Sequence, residues 1–101
     1  MRTSFEDFYK ELQAEARAEG PEAVTELDAF RLHFSLARQI AEHRRAQHLT
    51  QKELGERSGI DQAEISRIER GQANPTTATL GAVLRALEVD VHLVPTGSAT
   101  P

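Results

Sequence analysis

Side chains that could recognise another molecule are concentrated in the short segment 61–70. Five residues recur there at the spacing of one helix face: Gln62, Ala63, Ser66, Arg67 and Arg70. A glutamine amide can form two hydrogen bonds with adenine, an arginine guanidinium can form two with guanine, and an alanine methyl can contact the methyl group of thymine. This face is therefore chemically able to distinguish base pairs.

Two short helices are predicted to position these side chains. Thr50 and Glu53 have the spacing of a capping box, which predicts a helix over 51–58 that ends at Gly59. Asp61 is suited to cap the helix that follows. Neither helix can bury much surface alone, so we expect them to pack at a steep angle through apolar residues of both, as in a helix-turn-helix. These residues are Leu54, Ile60, Ile65 and Ile68.

Helical periodicity also extends over the N-terminal half of the chain. Thr3 and Glu6 have capping-box spacing, and the apolar residues that follow predict a helix over 4–19. A second helix is predicted over 22–47, either unbroken or with a step at Asp28.

After a last helix from Thr76 or Thr77 to Leu87, the pattern changes to a period of two. Aliphatic residues then alternate with polar ones, which predicts a short strand over 89–94. The strand residues that we expect to pair across a dimer are Val89, Val91 and Leu93. We expect the small, polar tail 96–101 to be disordered.

Charge is distributed unevenly along the chain. The formal net charge of −4 disfavours nucleic-acid binding, because contacts with phosphate normally require an excess of Lys and Arg. Residues 1–30 contain three basic and eight acidic residues, however, whereas residues 31–72 contain eight basic and six acidic ones. An acidic N-terminal extension is therefore joined to a mildly basic body.

Composition disfavours several other classes of protein. The chain has no cysteine, which excludes disulfides, thiolate metal sites and a thiol nucleophile. Its four histidines are scattered, Ser58 and Ser66 have no evident His and carboxylate partners, and no Gly-rich phosphate loop is present. We expect a cytoplasmic protein without signal peptide, membrane span, metal, cofactor or enzymatic activity.

The segment from Ile40 to Val89 resembles the lambda-repressor-like, XRE/Cro-type helix-turn-helix family. The resemblance rests on the arginine-rich helix before the motif and on the sequences Leu-Thr-Gln-x-Glu-Leu, Gly-Ile, Ile-Ser-x-Ile-Glu-x-Gly, Pro and Thr-Leu. It implies an all-α, five-helix domain at 31–95, carrying an N-terminal helical extension at 1–30 and a short C-terminal β-strand.

The resemblance also implies roles for individual residues. Those facing the bases would be Asp61, Gln62, Ala63 and Arg67. Those contacting phosphates would be Arg44, Gln51 and Arg70. An Arg44–Glu69 pair would fix the recognition helix, which is the helix that Asp61 caps, and orient the guanidinium. Asp61 and Glu64 depart from the expected positive surface, which predicts weak non-specific affinity for DNA.

Outside this domain, the acidic amphipathic first helix and the closing strand are similar to HigA-type antitoxins, which pair with a basic RelE/HigB-fold ribonuclease. Such a partner would bind the apolar stripe and the acidic residues beside it, namely Phe5, Phe8, Tyr9, Leu12, Glu11 and Glu15. The same stripe could instead pack on its own domain.

Three functions remain open on the sequence. The first is a homodimeric antitoxin that binds a palindromic double-stranded operator, represses its own operon and neutralises a ribonuclease. The second is a stand-alone XRE-family transcriptional regulator without a toxin. The third is a protein-interaction adaptor that has lost DNA binding.

Overall fold

A computed structural model describes residues 4–96 of the chain. The fold is all-α, and these residues form five helices. In chain order they are α1 (Phe5–Glu19), α2 (Pro21–Ala46), α3 (Gln51–Ser58), α4 (Gln62–Glu69) and α5 (Thr77–Leu87). No helix in this part of the chain is both long enough and apolar enough to cross a membrane.

Helices α1 and α2 fold back on each other as a hairpin. The N-cap of α1 is Ser4, whose side chain accepts a hydrogen bond from the Asp7 backbone N–H at 3.2 Å, whereas the predicted cap Thr3 lies outside the described residues. Gly20 alone joins the two helices, and its φ of 128° is a conformation that favours glycine. Tyr9 and Ala16 are buried between the helices.

Helix α2 is continuous, without a step at Asp28. Its 26 residues correspond to a length of about 39 Å. The N-terminal part packs on α1, and the C-terminal part buries Ala37, Ile40 and Ala41 against the remaining helices. The Cα radius of gyration is 15.5 Å, larger than the value of about 13 Å typical of a compact domain of this size. The hairpin therefore extends away from the body formed by α3, α4 and α5.

That body encloses the hydrophobic core. Its buried members are Ile40, Leu49, Leu54, Ile65, Ile68, Val83 and Leu87. Three of the four residues predicted to join α3 and α4 are buried, and Ile60 is half-buried against them. Between the two helices, Gly59 adopts a left-handed conformation with φ 77°.

The predicted strand over 89–94 is wrong, since residues 89–95 form no strand. A strand needs a neighbouring strand to satisfy its backbone groups, and residues 4–96 contain none. The segment instead lies along α2, where Val89 and Leu93 border a groove that Leu32 and His43 also line. Of the tail expected to be disordered, residues 97–101 lie outside the described part of the chain.

Candidate nucleic-acid interface

The outer face of α4 carries the residues predicted to read bases. Asp61 is the N-cap, and its Oδ1 accepts a hydrogen bond from the Ala63 backbone N–H at 3.3 Å. Ile65 and Ile68 bury the inner face, which leaves the opposite face open to solvent. The four predicted base-reading residues are all exposed: Asp61, Gln62, Ala63 and Arg67. Their contacts with DNA stay predictions.

A hydrogen-bonded network beneath this face ties α2, α3 and α4 together. Arg44 donates from Nε to Glu69 Oε2 at 2.7 Å and from Nη2 to Glu69 Oε1 at 2.9 Å. Gln51 Nε2 donates to the same Glu69 Oε1 at 3.1 Å, and Arg44 Nη1 donates to the Leu49 carbonyl at 2.8 Å. The structure thus brings together the pair that the family resemblance implied, and adds Gln51 to it.

Burial makes this pair sensitive to the loss of either partner. The side chains of Arg44 and Glu69 are 11% and 4% exposed. Burial raises the pKa of Glu69, but the hydrogen bonds from Arg44 and Gln51 outweigh it and hold the pKa below its usual range. The hydrogen bond to Glu69 likewise outweighs burial and raises the pKa of Arg44. Both groups are therefore charged at neutral pH.

The three predicted phosphate-binding residues differ in what they already contact. Arg44 commits three of its five N–H groups inside the domain, and Gln51, which is half-buried, donates to Glu69. Arg70 is exposed at the C-cap of α4. It is therefore the most exposed member of this set.

Sequence reasoning missed an ion pair that involves Arg67, one of the predicted base-reading residues. Arg67 Nη2 lies 2.5 Å from Glu64 Oε1, one helical turn away. The signal was available, because opposite charges three residues apart on a helix are close enough to pair.

Residues expected to bind a protein partner occupy two environments. Tyr9 is buried against α2 with the Arg31 guanidinium 5.3 Å from its ring centroid, and Leu12 is half-buried. Three others are exposed, namely Phe8, Glu11 and Glu15. Phe5 begins α1, and its side chain lies outside what the structure describes. Part of the apolar stripe therefore packs within the chain, as the alternative reading of the sequence allowed.

The packed pair α3 and α4, with a turn at Gly59 between them and a polar face on the second helix, is typical of the helix-turn-helix fold of DNA-binding proteins. Residues 40–94, more than half of the chain, match the model of the helix-turn-helix family HTH_3. The chain belongs to this family.

Individual relatives support the same class. The chain is 45% identical over 63 residues to y4dJ of Sinorhizobium fredii, an uncharacterized HTH-type transcriptional regulator, in a match covering 61% of this chain and 82% of y4dJ. It is 42% identical over 60 residues to y4dL of the same organism, covering 59% of this chain and 31% of y4dL.

A solved structure shares the fold. The HTH_3 family transcriptional regulator from Vibrio cholerae superposes with a TM-score of 0.59 at 27% identity, covering 61% of this chain and 35% of that one. The chain thus spans about a third of the length of both this regulator and y4dL.

Proposed function

We propose that the chain is a sequence-specific repressor that reads the major groove of double-stranded DNA through α4. The observation that carries this proposal is the exposure of Gln62, Ala63 and Arg67 on a helix whose inner face is buried and whose end is fixed by Glu69. A helix fixed in this way presents its base-reading groups in one geometry, which reduces the ordering cost of binding.

Phosphate contacts on either side of α4 would fix its position in the groove. Arg70 is exposed at the C-terminal end of α4. Gln51 and the two remaining N–H groups of Arg44 lie near the start of α3, so their contacts with phosphate would couple DNA binding to the network around Glu69.

The proposed binding unit is a homodimer on a palindromic operator. Helix α4 has eight residues, a length of about 12 Å, and can contact only a few base pairs. Helix-turn-helix proteins gain sufficient specificity by placing two such helices in successive major grooves, about 34 Å apart. This dimer does not use a C-terminal strand, because residues 89–95 form none.

Selection of duplexes from a randomised pool tests this function. We expect the wild-type protein to enrich an inverted repeat, and Gln62→Ala to lose preference at one or two positions in each half-site, by about 1–3 kcal/mol. Gln13→Ala, in the half-buried face of α1, is the matched control and should enrich the wild-type motif. Enrichment of no motif by the wild-type protein would refute the proposal.

A second candidate function is neutralisation of a RelE/HigB-like ribonuclease, in the manner of an antitoxin. It is supported by the exposed acidic residues Glu11 and Glu15 next to the exposed ring of Phe8 on α1. A ribonuclease that binds RNA presents a cationic surface, which these carboxylates complement.

The first test of this second candidate is whether an adjacent gene encodes a basic protein, and charge reversal on α1 then tests binding to that protein. Glu11→Lys combined with Glu15→Lys should slow association with the ribonuclease and restore its activity. The control pair, Glu22→Lys with Glu26→Lys, changes the same charge at exposed positions of α2 and should not. If the ribonuclease stays fully inhibited by the first pair, the acidic face of α1 is not its binding site.

A further inference from the structure

The ion pair between Glu64 and Arg67 lies at the edge of the face that is proposed to read DNA, with Arg67 on that face and Glu64 beside it. Arg67 Nη2 is 2.5 Å from Glu64 Oε1, and the side chains are 49% and 28% exposed, respectively. Glu64 stands in the first turn of α4 and Arg67 in its last turn. The carboxylate is therefore the more buried partner, and the guanidinium is the more exposed one.

This contact leaves the hydrogen-bonding capacity needed for guanine. A guanidinium has five N–H groups, of which the contact with Glu64 uses one and a bidentate contact with guanine uses two. The restraint also removes conformers of a long side chain before DNA arrives, so that less entropy is lost when Arg67 meets a base.

The same carboxylate disfavours a contact between Arg67 and phosphate. Neutralising a phosphate requires net positive charge, and the charge of Arg67 is offset locally by Glu64. Asp61 adds a second exposed carboxylate at the start of the helix. Recognition of a base edge requires donors in a fixed geometry rather than net charge. Arg67 can therefore still recognise a base while it is paired with Glu64.

We infer that Glu64 is a positioning residue for DNA recognition: by holding Arg67 through the ion pair, it directs the guanidinium to a base edge and away from the backbone. This inference rests on the proposed function, since it concerns the same DNA-reading face. Its consequence is a larger ratio of operator to non-operator affinity, obtained mainly by weakening the non-operator complex.

The decisive variant is Glu64→Gln, which keeps the size of the side chain and removes its charge. Affinities are measured for the duplex selected by the wild-type protein, for versions changed at each base pair, and for a duplex of scrambled sequence. We expect stronger binding to the scrambled duplex, with a salt slope steeper by about 0.9 for one added phosphate contact. Discrimination at the base pair read by Arg67 should fall by about twofold, the scale of an ion pair between exposed side chains three residues apart on a helix.

Two further variants separate positioning from general charge effects. Glu56→Gln removes the same charge from an exposed position of α3 and should preserve discrimination at every base pair. In the Arg67→Ala background, Glu64→Gln should no longer change discrimination, because the residue that it positions is absent. Thermal unfolding of each variant establishes that the binding assays are made on folded protein.

These measurements distinguish the loss of a positioning role for Glu64 from the absence of sequence-specific binding. If Arg67→Ala loses discrimination at a base pair while Glu64→Gln matches Glu56→Gln in every assay, Glu64 has no positioning role and sequence-specific binding stands. If the wild-type protein binds the selected and scrambled duplexes equally, the proposed function fails, and the inference fails with it.

Discussion

Glu69 receives hydrogen bonds from side chains of two other helices, Arg44 of α2 and Gln51 of α3. Because it is itself the last residue of α4, this single carboxylate sets the recognition helix relative to both neighbours. The sequence indicated the Arg44–Glu69 pair only through family resemblance. Periodicity alone places the two residues on two different helices, with a third between them in the chain, and it carries no information on which side chains converge.

Removing this carboxylate should destabilise the fold. Glu69→Gln leaves the Arg44 guanidinium buried without its counter-charge, at an expected cost of about 3 kcal/mol in the free energy of unfolding. Urea denaturation measures this change. Glu56→Gln is the control at an exposed position and should change stability by less than about 0.5 kcal/mol. Equal midpoints for the two variants would mean that the network contributes little to stability.

Stability should also depend on pH through Glu69. Its pKa is lowered in the folded state, so its contribution is complete above the unfolded-state pKa of about 4.3 and is lost as the pH falls through the folded-state value. Glu53, whose pKa is lowered by hydrogen bonds from the backbone and side chain of Thr50, acts in the same direction. Denaturation between pH 7 and pH 3 should show a smaller loss of stability for Glu69→Gln than for the wild type, and parallel curves would contradict this assignment.

At the scale of elements, local chemistry predicted the helices well and the strand badly. The capping box of Thr50 and Glu53 is present, with both of its hydrogen bonds, and Asp61 caps α4 as expected. Capping depends on residues close in sequence, which is why spacing reveals it. A strand depends on a partner strand that can lie far away in the sequence, and the alternation of Val89, Val91 and Leu93 carries no information about such a partner. Val91 and Leu93 consequently remain 58% and 87% exposed.

Two glycines inside helices differ in the space around them, because the turn between α3 and α4 brings its backbone close to one of them. A Cβ atom at Gly55 would lie 2.7 Å from the Ile60 carbonyl oxygen, whereas one at Gly81 in α5 would meet no atom within 4 Å. Gly81→Ala should therefore raise the free energy of unfolding by about 1 kcal/mol through helix propensity. Gly55→Ala should lower the free energy of unfolding, because the added methyl group clashes with the backbone. This clash outweighs the gain in helix propensity.

Thermal and urea unfolding of these two variants checks whether the free energy of unfolding changes in opposite directions. Gly55→Ala should also weaken operator binding, since relief of the clash requires α4 to move relative to α3. Stabilisation by both substitutions would show that the packing of the two helices tolerates the added methyl group.

At the scale of the whole molecule, two units share one helix. The hairpin buries Tyr9 and Ala16 between α1 and α2, and a separate core lies among Ile40 and the residues of α3, α4 and α5. The sequence predicted both amphipathic faces of the hairpin. It left open whether α2 is continuous, because the stripe continues past Asp28 with either a straight or a stepped axis.

Tyr9→Ala tests how far the two units depend on each other. Loss of the buried ring should cost about 3 kcal/mol in local stability of the hairpin. We expect faster amide hydrogen exchange in α1 and the N-terminal part of α2, with unchanged exchange in α3 to α5 and unchanged operator affinity. Faster exchange throughout would instead indicate one cooperative unit.

The continuity of α2 has a consequence for the angular position of the hairpin. Because 3.6 residues complete one turn, a single residue inserted between the part of α2 that packs on α1 and the part that packs on the body would rotate the hairpin by about 100° and advance it by about 1.5 Å. Four inserted residues would rotate it by only about 40° while advancing it by about 6 Å. The number of residues in the middle of α2 therefore sets the direction in which α1 faces relative to α4.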